Sequence, residues 1–384
     1  LVHFLYHDCL FDVPAVESRA ADGPPRCKTG GTRRAAFELL LELVSRSEEG
    51  YSQLLAALLE MHSTQETRQL HFYQPSQFEK APCGFVGLRN LGATCYMNSL
   101  LQQLYHIPEF RASILQVPAD EGREDHGLMY ELQSLFAYLQ ESEKQFYETR
   151  DLCQAYKDYD GKPLNTSQQM DVDEYFNILF EKLEKGIQGT PQERLLQECF
   201  GGKVVNQIIC KEAVTVGDHV YGESEPFKSQ REETFYTLQL EVKHKRNILE
   251  SLDLFVEGET LDGDNKYFCE EANKKVDALK RLCISKLPKS LILHLKRFEF
   301  DLDFMKKAKV NDMCEFPTIL DMDPYTLDGI ERRERAAADA ARAGLDPAKA
   351  VQAVPSAPGS SYELVGVLVH TGTADYGHYY SYIE

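Results

Sequence analysis

Over the first 70 residues the apolar positions recur at helical spacing. Ala35-Ala36-Phe37-Glu38-Leu39-Leu40-Leu41-Glu42-Leu43-Val44 and Tyr51-Ser52-Gln53-Leu54-Leu55-Ala56-Ala57-Leu58-Leu59 each carry an apolar stripe every three to four residues. Ser47-Glu48-Glu49-Gly50 between them has the composition of a turn. Helices of this kind suit the end of a helical repeat array, although a single pair establishes no period. The Pro-containing stretch from Tyr73 to Pro82 reads as a link. Residues 1–80 are thus expected to form a helical segment, and residues 84–384 a second domain.

The second domain opens with a short apolar run, a Gly-containing turn and a helix, in Gly84-Phe85-Val86-Gly87-Leu88-Arg89-Asn90-Leu91-Gly92-Ala93-Thr94-Cys95-Tyr96-Met97-Asn98-Ser99-Leu100-Leu101-Gln102-Gln103-Leu104. Met97, Leu100, Leu101 and Leu104 form the i, i+3, i+4, i+7 stripe of a helix packed on one side. After a polar loop at 120–126, Leu128 to Leu139 reads as a helix with Leu132, Leu135, Phe136 and Leu139 on one face. A third helix is expected from about Asp171, where acidic residues gather in a first turn and apolar ones follow through Leu183. From Gly201 the pattern changes to strands, at 203–209, 234–242, 289–298 and 362–370. Residues 328–361 interrupt them with Glu331-Arg332-Arg333-Glu334-Arg335, an Ala-rich run, and a Pro, Ser and Gly ending. This low-complexity insertion is expected to be poorly ordered with a transient helix, a partner-binding helix being the alternative.

Composition narrows the class. The 384 residues suffice for two domains and a large core. Acidic residues outnumber basic ones, 61 to 42, for a formal charge of −19, which argues against nucleic acid as a partner. A basic protein partner suits that charge, and a solvated acidic surface is the commoner origin of it. No signal peptide or membrane-spanning apolar run is evident, so no membrane partner is expected. The ten cysteines follow no disulfide-like rhythm, which points to a reducing cytoplasmic setting, with the nucleus as an alternative. The chain begins at Leu1 and stops at Glu384 inside an apparent strand; both ends read as cuts from something longer.

The candidate chemistry starts at Cys95. In the first turn of a helix, unpaired N–H groups and the helix dipole favour the thiolate, the nucleophilic form of cysteine. Asn90, five residues earlier, can offer its amide N–H2 to an oxyanion beside the sulfur. A buried structural thiol is the other reading of any cysteine; the turn and the Asn favour catalysis. Gln168-Gln169-Met170-Asp171-Val172-Asp173-Glu174 could accept hydrogen bonds from an extended peptide, or simply cap their helix. In Tyr376-Gly377-His378-Tyr379-Tyr380-Ser381-Tyr382-Ile383, Gly377 permits a close approach before a Tyr-rich strand, and His378 opens that strand as a base or as a structural histidine.

Together these blocks resemble the ubiquitin-specific proteases, a family of cysteine deubiquitinases, from about Gly84 to the last residue. The helical lead-in and Asp323-Pro324-Tyr325-Thr326 are similar to the very large, fat-facets-like members. The resemblance implies an α+β, papain-like fold of helical thumb and antiparallel β palm and fingers. It implies Cys95 as nucleophile, His378 as its base and Asn90 in the oxyanion hole. Gln169, Asp171, Glu174 and Tyr379 match positions that hold the ubiquitin tail. The implied reaction is thiol-dependent hydrolysis after ubiquitin's last glycine, with ubiquitin and ubiquitinated proteins as partners. A catalytically weak ubiquitin-binding pseudo-enzyme is the alternative. A third reading, another Cys–His enzyme such as a papain-like protease or acyltransferase, leaves Gln169, Asp171 and the Tyr-rich strand without a role.

Two departures stand out. Many members hold zinc in the fingers with two Cys-x-x-Cys pairs, but here the matching places read Cys210-Lys211-Glu212-Ala213 and Cys269-Glu270-Glu271-Ala272. Only Cys210 and Cys269 remain, so no metal or other cofactor is expected. The family's third catalytic residue, an Asp or Asn after the histidine, is expected beyond Glu384; Asp375, three residues before His378, is poorly placed for that role.

Overall fold

The computed structural model describes the chain except residues 12–26, 28, 65–78, 119–125, 159, 223–225, 302–304 and 375. Most of the expected link at 73–82, most of the expected loop at 120–126, and Asp375 lie outside the described residues. Two compact units emerge: Leu1–Arg89 with Ala137–Glu148, and Asn90–Phe136 with Thr149–Glu384.

The first unit contains α1 (Gly30–Ser45) and α2 (Glu48–Thr64), where the apolar stripes place them. Thr29 caps α1 reciprocally with Thr32: each side-chain oxygen accepts from the other residue's backbone N–H, at 3.2 and 3.1 Å. Ala36 and Leu40 of α1 bury themselves against Val2, Leu5, Tyr6 and Leu10. Later in this unit β1 (Gly87–Arg89) pairs in parallel with β2 (Phe146–Glu148).

The second unit begins at α3 (Cys95–Tyr105). A one-sided stripe is what its sequence predicts, yet Cys95 through Leu101 are all buried, along with Leu104 and Tyr105. The polar Asn98 and Ser99 are among the buried residues of this helix. A helix spans His126–Glu141, and α4 spans Val172–Ile187 with Asp171 as its N-cap. The apolar faces meet in an aromatic core: Phe110 lies edge-on to Phe136 and Phe200, and Phe180 edge-on to Phe200.

Strand segments follow as β3 (Gly202–Cys210), β4 (Lys228–Phe235), β5 (Thr237–Glu241), β6 (Glu259–Leu261), β7 (Ala278–Lys286), β8 (Ile292–Lys296), β9 (Phe298–Asp301) and β10 (Lys306–Lys309). An antiparallel sheet runs β4–β3–β7–β6. β5 and β8 pair in parallel over Leu238, Leu240, Ile248, Leu252 and Met322. β9 and β10 form a hairpin, and β11 (Gly366–Gly372) pairs antiparallel with β12 (Gly377–Ile383). Among the described residues no helix is long and apolar enough to cross a membrane.

The segment at 328–361 corrects the expectation of poor order. It forms α5 (Leu327–Arg342) and α6 (Pro347–Gln352). Thr326 caps α5 by accepting from Gly329 N–H at 3.0 Å. Asp323, which is buried, takes Arg332 and Arg333 from α5 and the Ala357 N–H from the returning chain at 3.1 Å. Lys228 of β4 pairs with Glu331 at 2.7 Å, and the buried Arg281 of β7 pairs with Glu334 through both terminal guanidinium nitrogens. Arg332 and Arg333 of this segment are spent on Asp323 just ahead of the helix, and Glu331 and Glu334 on Lys228 and Arg281, far away in sequence.

Asp323→Ala is expected to lower unfolding stability by about 3 kcal/mol, because it strands two arginines and an N–H. Denaturant unfolding and faster amide exchange across 327–342 check this.

Candidate active site

The loop ahead of Cys95 is folded around one side chain. Asn90 Oδ1 accepts from the backbone N–H of Gly92 (3.2 Å) and Thr94 (3.1 Å) and from the Thr94 hydroxyl (3.1 Å). Backbone N–H groups only donate, so the amide oxygen faces the loop and Nδ2 is the polar atom left for another task. Thr94 Oγ1 in turn accepts from Leu91 N–H at 3.1 Å. Gly92 has φ +137°, and a Cβ there would lie 2.7 Å from the Thr166 carbonyl, which also accepts Ala93 N–H at 2.7 Å. The outcome is a rigid lead into α3, with the buried Cys95 at its first position.

Strand β12 lies along α3. Tyr379 N–H donates to Cys95 Sγ at 3.5 Å, Ser381 Oγ donates to the Ser99 carbonyl at 2.9 Å, and Gln103 Nε2 donates to the Tyr382 carbonyl at 3.0 Å. Gly366 of β11 makes room for that amide, since a Cβ there would lie 2.0 Å from Gln103 Oε1. Strand alternation turns Tyr379 inward and leaves His378 exposed one residue from the Cys95 contact.

At the start of α4 the capping reading of Asp171 is present. Its carboxylate caps the helix by accepting from Asp173 N–H at 2.8 Å. It also meets the Tyr379 phenol, which burial, and then the Asp171 charge, push well above the usual tyrosine range. Glu174 is exposed on the first turn, and Gln169 is half-buried in the preceding loop. The structure therefore gathers Cys95, Asp171 and Tyr379 directly and sets Asn90 and His378 beside them by chain connection.

Sequence reasoning missed a neighbouring group. Gln239 of β5 donates to the two Asp173 carboxylate oxygens at 3.4 and 3.3 Å and bonds His294 Nδ1, which stands 3.6 Å from the same carboxylate. His294 and Gln239 are register partners in a parallel pair, a relation visible only once the pairing is known.

At the far end of β3, the buried Cys210 and Cys269 pack with Val214 and Val276, and Ala272 lies against them. Burial and the neighbouring Cys269 push the Cys210 thiol up to about 11. Glu212 accepts from Lys266 Nζ (2.7 Å), Lys274 Nζ (3.0 Å) and Asp277 N–H (3.2 Å), and the Lys266 bond leads in pulling its carboxyl down to about 2. Two thiols in an apolar cluster do not fit a four-ligand zinc site. Among the described residues no group of three or more His, Cys, Asp or Glu side chains is placed to hold a metal.

A cysteine opening a buried helix, laid against a histidine-bearing strand and an α+β scaffold, defines the papain-like fold. Residues 86–384 match the family described as ubiquitin carboxyl-terminal hydrolase, and the chain belongs to that family. It is 38% identical over 379 residues to ubiquitin carboxyl-terminal hydrolase 34 of Homo sapiens, covering 98% of this chain and 10% of the relative. Identity to ubiquitin carboxyl-terminal hydrolase 24 of Homo sapiens is 35% over 373 residues, covering 94% and 14%. To ubiquitin carboxyl-terminal hydrolase puf of Drosophila melanogaster it is 39% over 390 residues, covering 98% and 10%. The similarity to very large members is thus as the resemblance implies, and the chain spans only 10% to 14% of their length.

Gly92→Ala is expected to destabilise the chain by about 2 kcal/mol through its left-handed φ and the Thr166 contact. Denaturant midpoints measure this.

Proposed function

We propose that this chain is a deubiquitinase that hydrolyses the isopeptide bond after ubiquitin's C-terminal glycine. The observation that carries the reading is the Tyr379 N–H contact to Cys95 Sγ, which holds the histidine strand against the nucleophile. Cys95 sulfur attacks the glycine carbonyl carbon as His378 takes the thiol proton. The oxyanion accepts from Asn90 Nδ2, freed by the commitment of Oδ1 to the loop, and from backbone N–H at the start of α3. The bond to the lysine nitrogen then breaks, and His378 returns the proton to the leaving amine. Water, deprotonated by His378, opens the thioester and regenerates the thiol. Asp171, paired with Tyr379, lines the path of the tail with Gln169 and Glu174. Partners on this reading are ubiquitin and ubiquitinated proteins. The ten free cysteines support a reducing cytoplasmic or nuclear setting.

The reading extends to the fingers, which we take to be closed without zinc, by the Cys210–Cys269 cluster and the Glu212 ion network. Metal analysis is expected to find no stoichiometric zinc and chelator to leave unfolding unchanged; one tightly held zinc per chain contradicts this.

A ubiquitin bearing a C-terminal propargyl electrophile tests the activity. Labelling is expected in the native chain, to vanish in Cys95→Ala and to slow about a hundredfold in His378→Ala. Asn90→Asp keeps the three acceptor contacts and loses the donor, so about a hundredfold slowing with an unchanged unfolding midpoint is expected. A folded chain that binds ubiquitin without labelling would assign a binding role instead.

A further inference from the structure

A second imidazole beside the His378 strand is left unused by the reaction above. His370 of β11 faces Tyr379 of β12 in register, its ring 4.6 Å from that of Tyr379 and 5.1 Å from that of Phe298. From β10, Lys309 Nζ reaches His370 Nδ1 (2.9 Å), the His370 carbonyl (2.9 Å) and the Gly372 carbonyl (3.1 Å). An ammonium has three donors, and all three are spent here. Since it can only donate, Nδ1 is the acceptor, and the proton of the neutral ring sits on Nε2.

Burial, then the Lys309 charge, hold the His370 imidazole below the usual histidine range, with Asp171 opposing and His378 adding to the effect. Burial, then Arg297, lower Lys309 in turn. The contacts fall on the last rungs of the hairpin, where Gly372 faces Gly377 and Thr371 faces His378. The His370 ring takes the place of a side chain at Gly377, since a Cβ there would lie 2.2 Å from Nε2 and 2.2 Å from the Thr371 carbonyl. Ring, glycine and ammonium thus lock the backbone from which His378 projects.

We propose that Lys309 is a positioning residue for His378: it clamps His370 and the Gly372 carbonyl to fix the end of the β11–β12 hairpin, and it occupies Nδ1 so that His370 cannot act as a competing base. This rests on the deubiquitinase reading. Lys309 touches no reacting atom. It acts through the hairpin on the aim of an exposed imidazole, whose ring stacks on that of Tyr380 at 6.5 Å along the same strand.

The test uses the full chain with Lys309→Met, Lys309→Gln, His370→Phe and the Lys309→Met/His370→Phe double variant, assayed for hydrolysis of ubiquitin–rhodamine. The expected result is a kcat 10- to 100-fold lower with KM within about twofold. The double variant is expected to be no slower than the slower single one, because both single changes break one clamp. Amide exchange at 377–380 is expected to quicken in either Lys309 variant. Unchanged kcat in a folded variant, a raised KM with kcat retained, multiplicative losses in the double variant, or failure of both Lys309 variants to fold would each overturn the proposal. A native chain without turnover would overturn the deubiquitinase reading alone. Exchange at 377–380 then decides the clamp: faster supports it, and unchanged overturns it.

Discussion

One long-range fastening governs the second unit: β12 is tied along α3 by three hydrogen bonds joining residues nearly three hundred positions apart. Tyr379 to Cys95 spans 284 residues, and Gln103 to Tyr382 spans 279. Closing a loop of that length has a large entropic cost, and the buried faces of α3 are what offset it. Helix α3 is buried almost all round, which is why a short helix can serve as a fixed rail for a strand. The strand that carries His378 is thereby held against Cys95 by rigid elements and not by a loop. Precision of this kind is what a thiol–imidazole reaction needs.

The elements around that fastening each carry two tasks. Asn90 Oδ1 folds the lead into α3 and leaves Nδ2 uncommitted to that loop. Asp171 caps α4 and engages the Tyr379 phenol. Asp323 gathers both legs of the 328–361 insertion, whose glutamates then reach Lys228 and Arg281 on the sheet. At the distal end of that sheet, Glu212 collects two lysines and a backbone N–H. Exposed ion pairs are individually weak, so the apolar Cys210–Cys269 cluster beneath is the larger contribution.

Much of this was legible in the sequence where local rules decide. Helical periodicity located α1, α2, α3 and α4 within a few residues, and the acidic first turn marked Asp171 as a cap. Motif blocks singled out Cys95, Asn90 and His378 before any geometry. Local rules failed where distant partners decide. The Ala- and Arg-rich stretch from Glu331 reads as disordered because its stabilising partners, Asp323, Arg281 and Lys228, sit in other elements. Lys309 carries no motif that marks it; its three acceptors on His370 and Gly372 emerge only with the fold. The Gln239–Asp173–His294 group was hidden for the same reason, since it needs the parallel register of β5 and β8.

The central claim is that the bonds from α3 to β12 keep nucleophile and base aligned. The most direct measurement removes the two that do not touch Cys95, in a Gln103→Ala/Ser381→Ala variant, and follows single-turnover hydrolysis of ubiquitin–rhodamine beside circular dichroism. On this account the variant stays folded and its single-turnover rate falls at least about tenfold with little change in ubiquitin binding. A folded variant reacting at the native rate would show that the fastening does not align the site.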